Sequence, residues 1–277
     1  MRRQLEYLVY AVAILFFIVR YADTDGETPR RVSPSPAQPG PSVRLPENAT
    51  LPRDISSSVV VDIEEKKQAS VGTAFAVDDS GTYVSARHVI QDCDAIALIR
   101  NNRAIPTELE AIANSRDFAI LKTDLVQARP FNLSVDAPKR GEDGFMMGFP
   151  QGEPADVRAT VIGETVMKSR GRYNIRERVV AWVERERRPQ FSGSLGGISG
   201  GPVLDSAGRI VGTVVAGAPR RGRVYTTNPR VFAEAGLVSS MENVGDAEIV
   251  TQSNFDEKAD AYRESLRIAQ VYCAVEQ

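Results

Sequence analysis

The chain contains one histidine, His88, in the run Thr82-Tyr83-Val84-Ser85-Ala86-Arg87-His88-Val89-Ile90. A second run, Gly196-Gly197-Ile198-Ser199-Gly200-Gly201-Pro202, sets Ser199 among glycines. A serine hydroxyl is a weak nucleophile at neutral pH and is activated by an adjacent base, most often an imidazole. Chemistry of that kind in this chain can use only His88 as its base, which fixes the order of the parts along the sequence.

Order separates the architectures that support a nucleophilic serine. Gly197-Ile198-Ser199-Gly200-Gly201 fits a G-x-S-x-G elbow, but there the histidine follows the serine, and none follows Ser199. An acid–histidine–serine order would draw on Asp62, Asp78 or Asp79, yet it belongs to an α/β fold. The remaining order is His, Asp, Ser. It asks for an acid between 88 and 199, and Asp117 is the best candidate. It opens Asp117-Phe118-Ala119-Ile120-Leu121-Lys122, a polar-to-apolar step that would bury the carboxylate at a strand start. A buried acid there can hold the imidazole in one tautomer and stabilise the imidazolium. Asp94 is too close to His88 along the chain, and Asp124 falls on the far side of the strand.

The elements that must carry these residues read as strands. Segments 58–63, 72–77, 83–85, 95–99, 118–122, 144–147, 159–164, 178–183, 202–204, 210–215 and 223–227 are rich in valine, isoleucine, phenylalanine and tyrosine. Turn residues bound them, as in Asp78-Asp79-Ser80-Gly81 and Asp205-Ser206-Ala207-Gly208. Many short strands with few helices between them predict an all-β fold of barrels or a sandwich. Near the C-terminus Phe255, Ala259, Tyr262, Leu266, Ala269 and Cys273 recur at steps of four and three, which predicts a helix packed on the strands. Asn254 with Glu257, or Ser253 with Asp256, supplies its N-cap.

Other signals bound the setting. With 34 basic and 36 acidic residues, and no basic stripe, nucleic acid is not an expected partner. One histidine and two cysteines fall short of a zinc site, and no cofactor is expected. Arg2 and Arg3 precede an apolar run over 8–19, flanked by tyrosines. Counted as 5–22 it reaches the about 17–25 residues of a membrane span. It reads as an uncleaved anchor, with a cleaved signal peptide as the alternative, since Arg20 sits where cleavage wants a small residue. Either reading exports the rest of the chain and expects a membrane partner through the N-terminal segment. Residues 23–56 form a proline-rich linker; Asn48-Ala49-Thr50 within it fits a glycosylation acceptor. In an exported chain Cys93 and Cys273 are expected to pair, with two buried thiols as the alternative.

Together, Gly72-Thr73-Ala74-Phe75-Ala76-Val77, Ser85-Ala86-Arg87-His88-Val89-Ile90, Asp117-Phe118-Ala119-Ile120-Leu121-Lys122 and Gly197-Ile198-Ser199-Gly200-Gly201-Pro202 resemble the trypsin/chymotrypsin-like serine proteases. Over about 57–235 the closest likeness is to the bacterial HtrA/Deg-like branch, and 141–150 with its Met-Gly-Phe-Pro ending adds to it. The resemblance implies a chymotrypsin-like fold of two six-stranded β-barrels, about 57–135 and 140–235, within a protease domain over 57–240. A loop and the C-terminal helix follow over 241–277, with too few residues for a PDZ domain. It implies a serine endopeptidase acting on protein or peptide substrates, with His88, Asp117 and Ser199 catalytic and an oxyanion hole from the N–H groups of Gly197 and Ser199. It places substrate-pocket walls at Gly193, Ser194, Val215, Ala216, Gly217 and Arg223. No aspartate lies on that pocket stretch, which disfavours an Arg/Lys preference; Arg220, Arg221 and Arg223 read as solvated loop arginines, with a pocket that favours acidic residues as the alternative. Ile198 departs from the pattern: zymogens of the family carry aspartate before the serine and HtrA-type enzymes asparagine, which leaves open both a preformed loop and one shaped by a partner or the substrate. The rival reading is a catalytically silent member of the fold acting as a binding or scaffold protein.

Overall fold

The structure, a computed structural model, describes residues 58–237 and 248–276. The apolar run, the whole linker and the Asn48 acceptor lie outside the described residues. Among the described residues no helix is long and apolar enough to cross a membrane.

Thirteen strands, β1 to β13 in chain order, dominate the described residues. Six of them close a barrel in the order β13-β2-β3-β6-β5-β4. These are β2 (Ser70–Ala76), β3 (Thr82–Ser85), β4 (Ala95–Arg100), β5 (Arg103–Ile112), β6 (Ala119–Lys122) and β13 (Ile268–Ala274). A second sheet runs β1-β8-β7-β10-β11-β12-β9, and β8 also pairs with β9, so β8 to β9 close on themselves and β1 is added outside, along β8. It comprises β1 (Ser58–Ile63), β7 (Asp143–Gly148), β8 (Ala155–Gly171), β9 (Arg176–Arg188), β10 (Pro202–Leu204), β11 (Ile210–Ala218) and β12 (Arg223–Thr227). Met146, Val157, Val161, Trp182, Val203 and Val214 fill this sheet's core. A second cluster, containing Phe75, Phe118, Phe131, Phe145 and Phe232, joins residues of both sheets.

Several expectations need correction. The C-terminal helix, α3 (Phe255–Glu264, after α1 at Arg87–Ile90 and α2 at Arg230–Glu234), stops nine residues before the predicted stripe does, and Leu266 has φ 57°. The chain then becomes β13, antiparallel to both β2 and β4. The reason is that Ala269 and Cys273, four apart, are also in phase with a two-residue repeat: Ala269, Val271 and Cys273 are all buried while Tyr272 is exposed. Residues beyond 240 therefore complete the first barrel rather than merely cover it. The expected first barrel, about 57–135, includes segment 58–63, but this segment lies parallel to β8 in the second sheet, Ile63 opposite Gly171. Strand β5 went unread because Pro106 interrupts it and only Thr107 among its residues is buried. The Asn254 side chain does not cap α3; its Oδ1 accepts the Thr251 N–H at 2.8 Å instead.

Cys93 and Cys273 form a disulfide, with Cα atoms 5.4 Å apart. It ties the segment just beyond α1 (Arg87–Ile90) to β13, the strand that completes the barrel. The predicted cross-link is present, but it fastens a strand and not a helix.

Candidate active site

His88 sits on the one-turn helix α1, reached directly from β3, and Asp117 lies just before β6, the strand paired with β3. The β3–β6 pairing therefore brings residues 29 apart into contact. The His88 backbone N–H donates to Asp117 Oδ1 at 2.9 Å, and Nδ1 meets Oδ2 at 2.7 Å. A carboxylate can only accept, so the ring proton lies on Nδ1 and Nε2 is left as an acceptor. The Asp117 side chain is 3% exposed and that of His88 24%. Burial pulls the His88 imidazole down, and Arg172 opposes its charge, but the Asp117 charge and hydrogen bond outweigh both and hold it above the ordinary imidazole value.

Ser199 lies on the turn between 195 and β10, and is half-buried. It opens with His88 onto one cavity of about 520 Å³. Among the described residues the Ser199 hydroxyl and His88 Nε2 make no hydrogen bond, although both line the cavity.

Backbone amides of the same turn are oriented by the carbonyls that precede them. Gly196 O accepts the Gln151 N–H at 2.5 Å, and Ile198 O accepts the Gly201 N–H at 2.8 Å. In a trans peptide the carbonyl and the next N–H point opposite ways. The N–H groups of Gly197 and Ser199 thus face away from these anchors, and neither has an acceptor among the described residues. Gly197 has φ +98°, and a Cβ there would lie 2.3 Å from Phe149 O, so the position requires glycine. Both amides are thus left without a protein acceptor among the described residues, a condition that donors to a developing oxyanion must meet.

What shapes this turn lies in the chain itself. Ile198, 1% exposed, is packed into the second sheet's core. Thr73, from β2 of the barrel, donates Oγ1–H to Gly197 O at 2.8 Å and N–H to Ser199 O at 2.8 Å. Gln151 Nε2 donates to Ser192 O at 2.9 Å and Ser194 O at 3.1 Å. Buried Arg187, paired with Glu184 at 2.7 Å, donates to Phe191 O and Gly193 O. These internal ties support the turn from both sheets. None of Thr73, Gln151 and Arg187 was singled out from sequence. Thr73 fell within a quoted motif, and Gln151 followed Met-Gly-Phe-Pro directly, which was the available signal.

Of the predicted pocket residues, Ser194, Val215, Ala216 and Gly217 line the cavity, whereas Gly193 and Arg223 do not. The Gly193 carbonyl is held by Arg187. Arg223 is paired opposite Ala218 and Val183, beyond the cavity end of β11. Arg220 and Arg221 are exposed and also outside the lining. The charged lining residues are instead Asp62, Glu64, Lys66 and Arg172. Among the described residues no cluster of metal-ligating side chains occurs.

The family profile of the trypsin-like peptidase domain matches residues 72–212, a span that includes His88, Asp117 and Ser199. The chain belongs to the trypsin-like peptidases, a family of serine endopeptidases. A curated relative, an uncharacterized protein (y4bJ) of Sinorhizobium fredii, is 26% identical over 186 residues, 64% of this chain. The chain spans only 28% of that protein's length. Similar solved structures include the active form of the Rv3671c protease from M. tuberculosis, at 18% identity and TM-score 0.49, over 65% of this chain and 76% of that one. The HtrA-type protease AlgW with a decapeptide matches at 19% identity and TM-score 0.48, over 61% of this chain and 51% of that one.

Proposed function

We propose that the family's chemistry is carried here by Ser199 as nucleophile, His88 as base and Asp117 as the acid that orients it. The observation that supports this most is the imidazole bonded at 2.7 Å to a buried carboxylate while facing the same cavity as Ser199. Ser199 Oγ attacks the scissile carbonyl carbon as Nε2 takes its proton. The resulting oxyanion is held by the N–H groups of Gly197 and Ser199. On collapse the C–N bond breaks and His88 returns the proton to the leaving amine. Water, deprotonated by His88, then hydrolyses the acyl-serine ester and regenerates the hydroxyl.

Leu195, Val214, Val215 and Ala216 give the cavity an apolar flank beside Ser199. This favours a small or medium apolar residue before the scissile bond over an acidic one. The working site of the protein is outside the cytoplasm, tethered by the N-terminal apolar run. The Cys93–Cys273 disulfide supports an oxidising compartment.

A peptide library incubated with the wild-type protein and with Ser199→Ala tests the reading. Cleavage after apolar residues that disappears in the variant is expected. No cleavage of any peptide by wild type, with correct folding, would support a silent scaffold; cleavage after Asp or Glu would overturn the pocket assignment.

A further inference from the structure

Asp117 has a third side-chain or backbone donor besides the two supplied by His88. Tyr173, in the turn joining β8 to β9, directs its hydroxyl to Asp117 Oδ1 at 3.2 Å. Tyr173 as a whole is 7% exposed. Burial and the Asp117 charge both push its ionisation upward, so it stays a donor throughout the working range. The surrounding contacts fix the ring in place. The Arg87 guanidinium lies 4.1 Å over the Tyr173 centroid, and Arg172 donates to His88 O at 3.3 Å. Gly171 makes the turn tight: with φ +112°, a Cβ there would meet Ile63 O at 1.8 Å. Nearby Glu177 of β9 accepts the Asp117 N–H at 3.0 Å.

We propose that Tyr173 is a positioning residue for the site, a donor from the second sheet that fixes the Asp117 carboxylate and limits how much of its charge bears on His88. The inference rests on the catalytic reading above. A carboxylate cut off from water needs its lone pairs filled by protein donors. Oδ2 has the imidazole; Oδ1 has the His88 N–H and the Tyr173 hydroxyl. Without the hydroxyl, Oδ1 keeps one donor, and more of the negative charge is left to stabilise an imidazolium. The charged and titratable groups around this centre are Asp117, Arg172, Arg87, Arg116, Glu177 and Glu234, and Tyr173→Phe changes none of them.

The lone histidine makes the test clean. NMR titration of the His88 ring in Tyr173→Phe is expected to show its pKa about half a unit to one unit above wild type. The acid limb of kcat/KM should move up by the same amount, with kcat at the optimum about 10-fold lower and KM little changed. An unmoved His88 titration in a folded variant overturns the proposal, even if activity drops, because a merely structural role would leave the ring's proton affinity alone. The titration needs no turnover. Inactive wild-type protein with a shifted ring in the variant would sink the catalytic reading and leave the Tyr173–Asp117–His88 coupling standing.

Discussion

The two halves of the site are held in different ways. The imidazole half is a charge problem. Asp117 is nearly inaccessible to water, so His88 and Tyr173 side chains and a backbone N–H surround it with donors. The hydroxyl half is a shape problem. Its turn, rich in glycine, is fixed by ties to backbone carbonyls from Thr73, Gln151 and Arg187, and by the Ile198 side chain plugged into the core. Each half is also completed from across the molecule: Tyr173 and Glu177 come from the second sheet to the barrel's Asp117, and Thr73 from the barrel to the second sheet's Ser199. Bringing the two sheets together and finishing the site are therefore one event. This explains how Ile198 can replace a polar residue without leaving the turn unsupported.

Substitutions should separate the halves by size and kind of effect. Asp117→Asn, which removes the charge and favours the wrong tautomer, should lower kcat by about 10,000-fold with the fold intact; a loss below 10-fold would mean that the charge of the imidazole half is unimportant. Thr73→Val keeps the shape but leaves Gly197 O and the Phe149 N–H without their partner. We expect a fall in kcat of about 10- to 100-fold, with the His88 titration unmoved. A shifted titration would show that the halves are not separable in this way. Gln151→Ala loses two hydrogen bonds at an exposed position, and its steady-state rate should drop only severalfold, by about 1 kcal/mol. An effect as large as that of Thr73→Val would move the main support of the turn to Gln151.

The smallest catalytic effect is expected at Glu177. Burial first, and then the Asp117 charge, push its carboxyl up to about 8, so at neutral pH it is mostly a neutral acceptor and Glu177→Gln should turn over nearly as wild type does. Stability is where the variant should differ. A carboxyl whose folded value is raised contributes stability that is full below its ordinary range and is lost as pH rises through about 8. Denaturation curves should therefore show wild type losing about 1–3 kcal/mol relative to Glu177→Gln between acid and alkaline pH. Parallel curves would show that the Glu177 carboxyl titrates alike in the folded and unfolded chain.

The barrel strands bearing His88 and Asp117 could be read from sequence because their apolar residues are continuous and turn-bounded, and the single histidine left one order for the parts. The pairing of Cys93 with Cys273 was legible too, although its setting was misjudged. Residues 269 and 273 satisfy both a helical and a strand period, and only the partner strands β2 and β4 decide between them. Strand β1 has the alternation of any half-buried strand, which does not say which sheet it joins. Tyr173, Thr73 and Gln151 were invisible as site residues for a common reason: each acts on a residue more than 40 positions away. Such contacts are created by packing and leave no local motif. Arg220, Arg221 and Arg223 lie at the β11–β12 hairpin outside the cavity, in line with reading them as loop arginines, so their conspicuous charge does not set the pocket.

The most direct test of the site is mass spectrometry of the protein treated with a fluorophosphonate. A single adduct on Ser199, abolished in His88→Ala while that variant remains folded, is the expected result. An adduct on another serine, or undiminished labelling of Ser199 without the histidine, would contradict the assignment of His88 and Ser199 as base and nucleophile.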